Sequence, residues 1–194
     1  MSTVTCWLRQ LLLLAGLCLS PSSLADILLV NPLWRVQLDP ATLAVRVTPA
    51  NGATVQASTG VAARRVSNLV QRDNRVDWQW NDGAWSLSVD LDQRDLSFSI
   101  TARVPAELEF LRQPGDAMGK GLIWPLAEGH YVPRGDPVWQ AFLVRQGVLN
   151  ATQDMSLPIW GVEHEGFSLS WLLTNPYNKQ LLFSAEGDTL ALSV

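Results

Sequence analysis

The stretch that decides the fold runs from Arg75 to Arg103 and reads RVDWQWNDGAWSLSVDLDQRDLSFSITAR. Apolar residues occupy every second position in three consecutive runs, which Asn81-Asp82-Gly83 and the polar residues 92–95 separate. Alternation with a period of two indicates strands that have one buried and one solvated face. An Asp-Gly pair between two such runs is typical of a hairpin turn. The stretch therefore predicts a three-stranded antiparallel meander.

The same pattern continues on both sides of this meander. No segment shows a helical period over a convincing length, and the chain has no internal repeat. Regularly spaced short strands are typical of an antiparallel sandwich. We therefore predict an all-β fold, an antiparallel β-sandwich, for residues 26–194. Its further predicted strands lie at 34–38, 43–47, 53–58, 65–71, 138–144, 159–163, 167–173, 180–184 and 189–194.

Residues 1–25 have the pattern of a secretory signal peptide. Arg9 supplies a positive charge, residues 11–19 form an apolar run, and Ser23-Leu24-Ala25 has the small-x-small form that signal peptidase requires. We expect cleavage after Ala25. This predicts a secreted or periplasmic protein that has no membrane contact once the leader is removed.

Charge and cysteine content exclude several classes of function. The chain has 14 Lys and Arg against 18 Asp and Glu, a net charge of −4, which argues against nucleic acid as a partner. Both cysteines, Cys6 and Cys18, lie in the leader, so the remainder contains no disulfide, cysteine nucleophile or thiolate metal site. Two alternatives stay open for the leader. It is a lipoprotein leader lipidated at Cys18, which Leu17 disfavours because a small residue is needed there, or it is an uncleaved anchor.

The chain has only two histidines, and each has glutamates near it in sequence. Epimerisation of a sugar at its anomeric carbon needs a general acid and a general base, roles that His and Glu fill near neutral pH. The alternative is that these groups lie in solvated turns or cap a loop. Their spacing matches no metal-ligand motif, and we predict no metal and no cofactor. The candidate catalytic residues are His130, His164, Glu128 and Glu163.

Nine tryptophans is a high number for 194 residues. Those in the alternating strands are predicted to be core residues. Three others, Trp124, Trp139 and Trp160, lie in or beside a Gly- and Pro-rich segment, residues 113–137, which predicts a long shaped loop with short extended pieces. An exposed indole ring stacks well on a sugar ring, so these three are candidate carbohydrate-binding residues. The alternative is that they close one end of the sandwich.

Three segments carry a resemblance to a known family. They are GLIWPLAEGHYVP at 121–133, DMSLPIWGV at 154–162, and GFSLSW at 166–171, which leads to NPYN at 175–178. Together they resemble the N-terminal β-supersandwich, of galactose-mutarotase-like fold, that precedes the catalytic barrel in bacterial glycoside hydrolases. The group concerned is related to the endo-α-N-acetylgalactosaminidase family.

The resemblance covers residues 30–194 and implies a non-catalytic role for this chain. In those hydrolases of O-glycosyl bonds the catalytic carboxylates lie on the barrel, which would follow Val194. The chain is then the N-terminal domain of a secreted glycoside hydrolase, truncated before its barrel, and its partners are that barrel and a glycan. A stand-alone periplasmic carbohydrate-binding or aldose-epimerase-like protein is the alternative. A third hypothesis is a structural or protein-binding sandwich.

Overall fold

The computed structural model describes residues 26–124, 129–186 and 189–194 and confirms an all-β fold. Every strand pair in these ranges is antiparallel. The strands are β1 (Ile27–Val30), β2 (Trp34–Leu38), β3 (Val45–Pro49), β4 (Val55–Ser58), β5 (Val66–Arg72), β6 (Arg75–Trp80), β7 (Trp85–Leu91), β8 (Leu96–Ala102), β9 (Gly121–Trp124), β10 (His130–Pro133), β11 (Val148–Asn150), β12 (Ile159–Glu163), β13 (Ser168–Leu172), β14 (Gln180–Glu186) and β15 (Thr189–Ser193). A 3-10 turn spans Gly115–Met118, and one helix, α1, spans Pro137–Gln146.

The strands of the described residues form four small sheets. Sheet I has the order β1-β2-β3-β4, sheet II β5-β6-β7-β8, sheet III β10-β9-β12-β13 and sheet IV β11-β14-β15. The sequence predicted two facing sheets; the structure instead arranges four sheets as a propeller-like ring. The predicted meander is sheet II without β5, and its register Trp78↔Leu87↔Ile100 places the alternating apolar residues on one face.

Two hydrophobic cores hold the ring together. The first lies between sheets I and II and includes Trp78 and Trp80; the second lies between sheets III and IV and includes Trp124 and Trp160. Sheet I reaches sheet III through an edge contact between Trp34 and the Phe167 ring at 6.2 Å, just before β13.

The ring closes between sheets II and IV through the segment that follows β8. Phe98 on β8 lies 5.1 Å from the ring of Phe110. Phe110 in turn exchanges two backbone hydrogen bonds with Val194, directly after β15. Sheets II and IV are therefore linked through this segment.

The predicted strand at 138–144 is wrong, because these residues belong to helix α1. The Asp136 carboxylate accepts hydrogen bonds from Val138 N at 2.9 Å and Trp139 N at 3.1 Å, and Pro137 occupies the first helical position. An Asp N-cap followed by Pro is a strong helix start. Trp139, Phe142 and Leu143 also follow a spacing of three and four, which places them on one helical face.

Two further features bear on the sequence predictions. Strand β1 was not predicted, and the segment at 113–137 contains two paired strands, β9 and β10. The predicted signal peptide, residues 1–25, lies outside the described residues. No helix in the described part of the chain is long and apolar enough to cross a membrane.

Asp136→Ala removes the N-cap of α1, and we expect it to lower the free energy of unfolding by about 1 kcal/mol. Asp136→Asn keeps an acceptor at the same place and retains most of the stability. Urea unfolding followed by tryptophan fluorescence measures both. An alanine variant as stable as the parent chain would contradict the capping role.

Candidate functional site

The outer face of sheet III gathers several residues capable of binding or acid–base chemistry. On β9, Leu122 is buried and Ile123 is 44% exposed; on β10, Val132 is buried and Tyr131 is 46% exposed. The register pairs Tyr131 with Ile123, and Gly121 with Glu163 of β12. Because side chains alternate along a strand, Tyr131, Ile123, Gly121 and Glu163 share the outer face.

The Tyr131 ring crosses over Gly121. A Cβ atom at position 121 would lie 2.6 Å from Tyr131 Cζ and 2.7 Å from its hydroxyl oxygen. Only glycine leaves room for the ring against the backbone of β9. The phenol reaches Glu163 beyond it, and the hydrogen bond to that carboxylate is the main cause that raises the pKa of Tyr131.

A salt bridge borders this arrangement. Lys120 Nζ lies 2.7 Å from Glu165 Oε2, and this contact raises the pKa of Lys120. Both side chains are well exposed, at 49% and 90%, so the pair contributes little to stability. We call Lys120, Gly121, Tyr131, Glu163 and Glu165 the Tyr131 face. Two carboxylates and one ammonium make it net negative.

His164 is a packed residue with little solvent contact. It is only 9% exposed, and its ring stacks on Phe167 at 4.9 Å and an interplanar angle of 19°. Its backbone N donates to Phe167 O at 2.8 Å across the predicted hairpin turn. Burial disfavours the charged imidazolium and lowers the pKa of His164.

His130 lies at the opposite end of sheet III from Glu163. It is exposed, and its ring lies 5.2 Å from that of Trp139 on α1. His130 of β10 pairs with Trp124 of β9. Glu163 of β12 pairs with Gly121, at the other end of β9 and along its opposite edge. Three residues along a strand span about 10 Å, and two strand spacings span about the same. The structure therefore does not bring His130 and Glu163 together, and Glu128 lies outside the described residues.

Two of the three candidate carbohydrate-binding tryptophans are core residues. Trp124 is 0% and Trp160 is 2% exposed. Trp160 Nε1 donates to Gln113 Oε1 at 3.3 Å, and the Trp124 ring packs edge-on against Phe183 at 5.0 Å. Neither ring has a face open to solvent, so the structure gives no support to their assignment as carbohydrate-binding residues. Trp139 is half-buried, between His130 and Phe142.

A second polar surface lies on the outer face of sheet II. It is a shallow groove of about 260 Å³ in which the exposed side chains are all polar. Asp77 there has its pKa lowered by the hydrogen bond from Arg75. Within the ranges described, no three His, Cys, Asp or Glu side chains come together as a metal site. The polar residues that line the groove are Asn68, Asp77, Gln79, Ser86, Ser88, Ser99 and Thr101.

Tyr131 was not among the predicted site residues, because residues 113–137 were predicted to form a loop. The signal was the alternation in His130-Tyr131-Val132-Pro133 and in Gly121-Leu122-Ile123-Trp124, which is typical of a strand pair with one buried face. Glycine in a strand next to an aromatic residue on its partner also indicates a close approach of ring and backbone.

Comparison of the chain with protein families, with curated proteins and with solved structures found no match.

The buried His164 predicts a pH-dependent stability. Because its pKa is lower in the folded chain, its contribution is complete above the unfolded pKa of about 6.5 and is lost as the pH falls below that value towards the folded pKa. We expect His164→Gln to flatten this dependence in urea unfolding between about pH 7.5 and pH 5.5. His130→Gln, at an exposed site, is the control and leaves the slope in place. Equal slopes in all three chains would rule out His164 as the cause.

The contact of Tyr131 with Glu163 predicts a measurable tyrosine titration. The chain has two tyrosines, so ultraviolet titration can separate Tyr131 from Tyr177 by comparison with Tyr131→Phe. Glu163→Gln removes the negative acceptor, and we expect it to lower the pKa of Tyr131 towards its ordinary value of about 10. Glu165→Gln, which changes the same charge at the partner of Lys120, is the matched control. If only the control moves the Tyr131 transition, the assigned hydrogen bond is wrong.

Proposed function

We propose that this chain is a non-catalytic, glycan-contacting domain of an exported protein and that the Tyr131 face is its contact surface. The observation that carries the proposal is the exposed Tyr131 ring, which lies against the backbone of Gly121 with Glu163 close enough to its hydroxyl to raise its pKa. An aromatic ring held against a sheet offers its other side to the apolar face of a sugar, at little cost in side-chain entropy.

Polar groups around the ring suit the hydroxyl groups of a sugar. Glu163 is a carboxylate with capacity for more than one hydrogen bond, and Lys120 adds a donor. The register places Ser168 beside Glu163 and Ser170 beside Gly161, and both serines are exposed. A few directed polar groups around an aromatic platform give a surface that fixes the orientation of its ligand.

The placement of the candidate catalytic groups favours binding over catalysis. Glu163 is engaged by Tyr131, Glu165 by Lys120, and His164 by Phe167. In the described part of the chain, neither histidine faces a carboxylate across a cleft, as a general acid and base on one sugar must. The epimerase-like alternative therefore has less support than the binding role.

The resemblance to supersandwich domains supplies a setting for this proposal. Sheets I and II enclose one core and sheets III and IV the other, so each half has the two-layer packing of a sandwich. In that setting a catalytic barrel is a second partner. Docking of the barrel on sheet III is favoured by the exposure of Ile123 and of Leu172, at 44% and 63%.

Tyr131→Ala is expected to weaken glycan binding about tenfold, the equivalent of one lost stacking contact. Affinity electrophoresis through gels that contain xylan, galactan, β-glucan or mucin glycans measures the effect with the full chain. Tyr177→Ala is the matched control, because Tyr177 is a 73% exposed tyrosine in the β13–β14 connection.

Two results would count against the proposal. Retardation that is equal in the parent chain and Tyr131→Ala would place the glycan elsewhere. Absence of retardation in every gel would remove glycan contact by this chain and leave docking of a partner domain as the role of sheet III.

A further inference from the structure

The outer face of sheet I differs in charge from the chain as a whole. The protein has a net charge of −4, yet none of the strand residues on this face is acidic. Arg35 and Arg46 project from it, and both are exposed. We call this surface the sheet I face; its strand residues are Leu28, Val30, Arg35, Gln37, Arg46, Thr48 and Gln56.

The two arginines are close neighbours without a counter-ion. Arg35 pairs with Thr48, and Arg46 lies two residues before Thr48 on the same strand and the same face. Such diagonal neighbours are about 7 Å apart. Among the residues that the structure describes, no carboxylate lies within ion-pair distance of either guanidinium. Two cations at this spacing repel each other unless an anion lies between them.

Arg46 is held in place by a glutamine that is itself anchored. Arg46 Nε donates to Gln56 Oε1 at 3.1 Å. The amide nitrogen of Gln56 donates to the backbone oxygens of Val45, at 3.0 Å, and of Ser58. This arrangement uses Nε of Arg46 and leaves its two terminal nitrogens for a ligand. A guanidinium binds phosphate through two parallel hydrogen bonds, so the orientation suits that group.

Exposed aliphatic side chains border the arginines. Val30, 49% exposed, pairs with Arg35, and Leu28, 38% exposed, pairs with Gln37. Leu33, in the turn that follows β1, is 46% exposed. These residues lie on or beside β1, an edge strand of sheet I. Aliphatic side chains next to a pair of cations fit an amphiphile with an anionic head better than they fit a polysaccharide, which is bound by aromatic platforms.

We propose that the sheet I face binds the surface of an anionic lipid bilayer. Arg35 and Arg46 contact headgroup phosphates, and Leu28, Val30 and Leu33 enter the boundary between headgroups and acyl chains. The inference is independent of the Tyr131 face, which lies on sheet III. It departs from the expectation that the chain has no membrane contact after the leader is removed.

Co-sedimentation with lipid vesicles tests this proposal on the full chain. We expect at least about tenfold stronger binding to equal parts of phosphatidylglycerol and phosphatidylcholine than to phosphatidylcholine alone, and weaker binding as salt is raised. Arg35→Gln with Arg46→Gln abolishes the preference. Arg103→Gln with Arg145→Gln, two exposed arginines outside sheet I, makes the same change in charge and retains it.

Further variants separate the contribution of the aliphatic side chains from that of the arginines. Val30→Ser with Leu33→Ser weakens binding to the anionic vesicles while both arginines remain, and urea unfolding shows that each variant is folded. Equal loss in the two arginine pairs would indicate a response to net charge and overturn the sheet I assignment. Binding to heparin through Arg35 and Arg46 without binding to either vesicle would assign the pair to an anionic glycan and overturn the lipid surface.

Discussion

Burial of four tryptophan rings is the interaction on which the rest of this structure depends. Residues 26–194 contain no cysteine, so no disulfide can supplement the two cores. Trp78 and Trp80 fill the first core, and Trp124 and Trp160 fill the second. A buried indole removes about 150–250 Å² from water, which makes it the largest single contribution that a side chain can offer. The cost of burying the indole N–H differs between the rings. Trp80 Nε1 donates to Pro40 O at 2.7 Å, whereas Trp78 Nε1 has no acceptor among the described residues.

The connection after β8 converts two separate cores into one ring. Gln113 is 1% exposed, and its backbone exchanges two hydrogen bonds with Leu192 of β15. Its side chain accepts from Trp160 of β12, so one residue ties sheet IV to sheet III. Phe110, three residues earlier, makes the contact with sheet II. A segment without regular secondary structure thus contacts sheets II, III and IV, which a search for hydrophobic periodicity overlooks.

The difference between local periodicity and contacts of distant residues explains how much of the fold the sequence could predict. Strands with strict alternation, such as β6 and β7, were predicted within a residue or two because period two is a local property. Helix α1 was missed because its ten residues show only weak helical periodicity and match the period of a strand over part of their length; its clearer signal is the capping pair Asp136 and Pro137. The grouping of strands into four sheets depends on contacts between distant residues and has no local signal.

For the candidate site, residue type was a poorer guide than position in the sheet. Trp124 and Trp160 alternate with Ile123 and Gly161, so their faces were fixed once the register of β9 and β12 was known. That register turns both indoles inward and leaves Tyr131 and Glu163 outward. The outward faces also differ in charge: the Tyr131 face is net negative, and the sheet I face has two arginines that form no ion pair with any described residue. Neutral sugars and anionic headgroups make different electrostatic demands, and the two proposed binding surfaces differ in charge in the same sense.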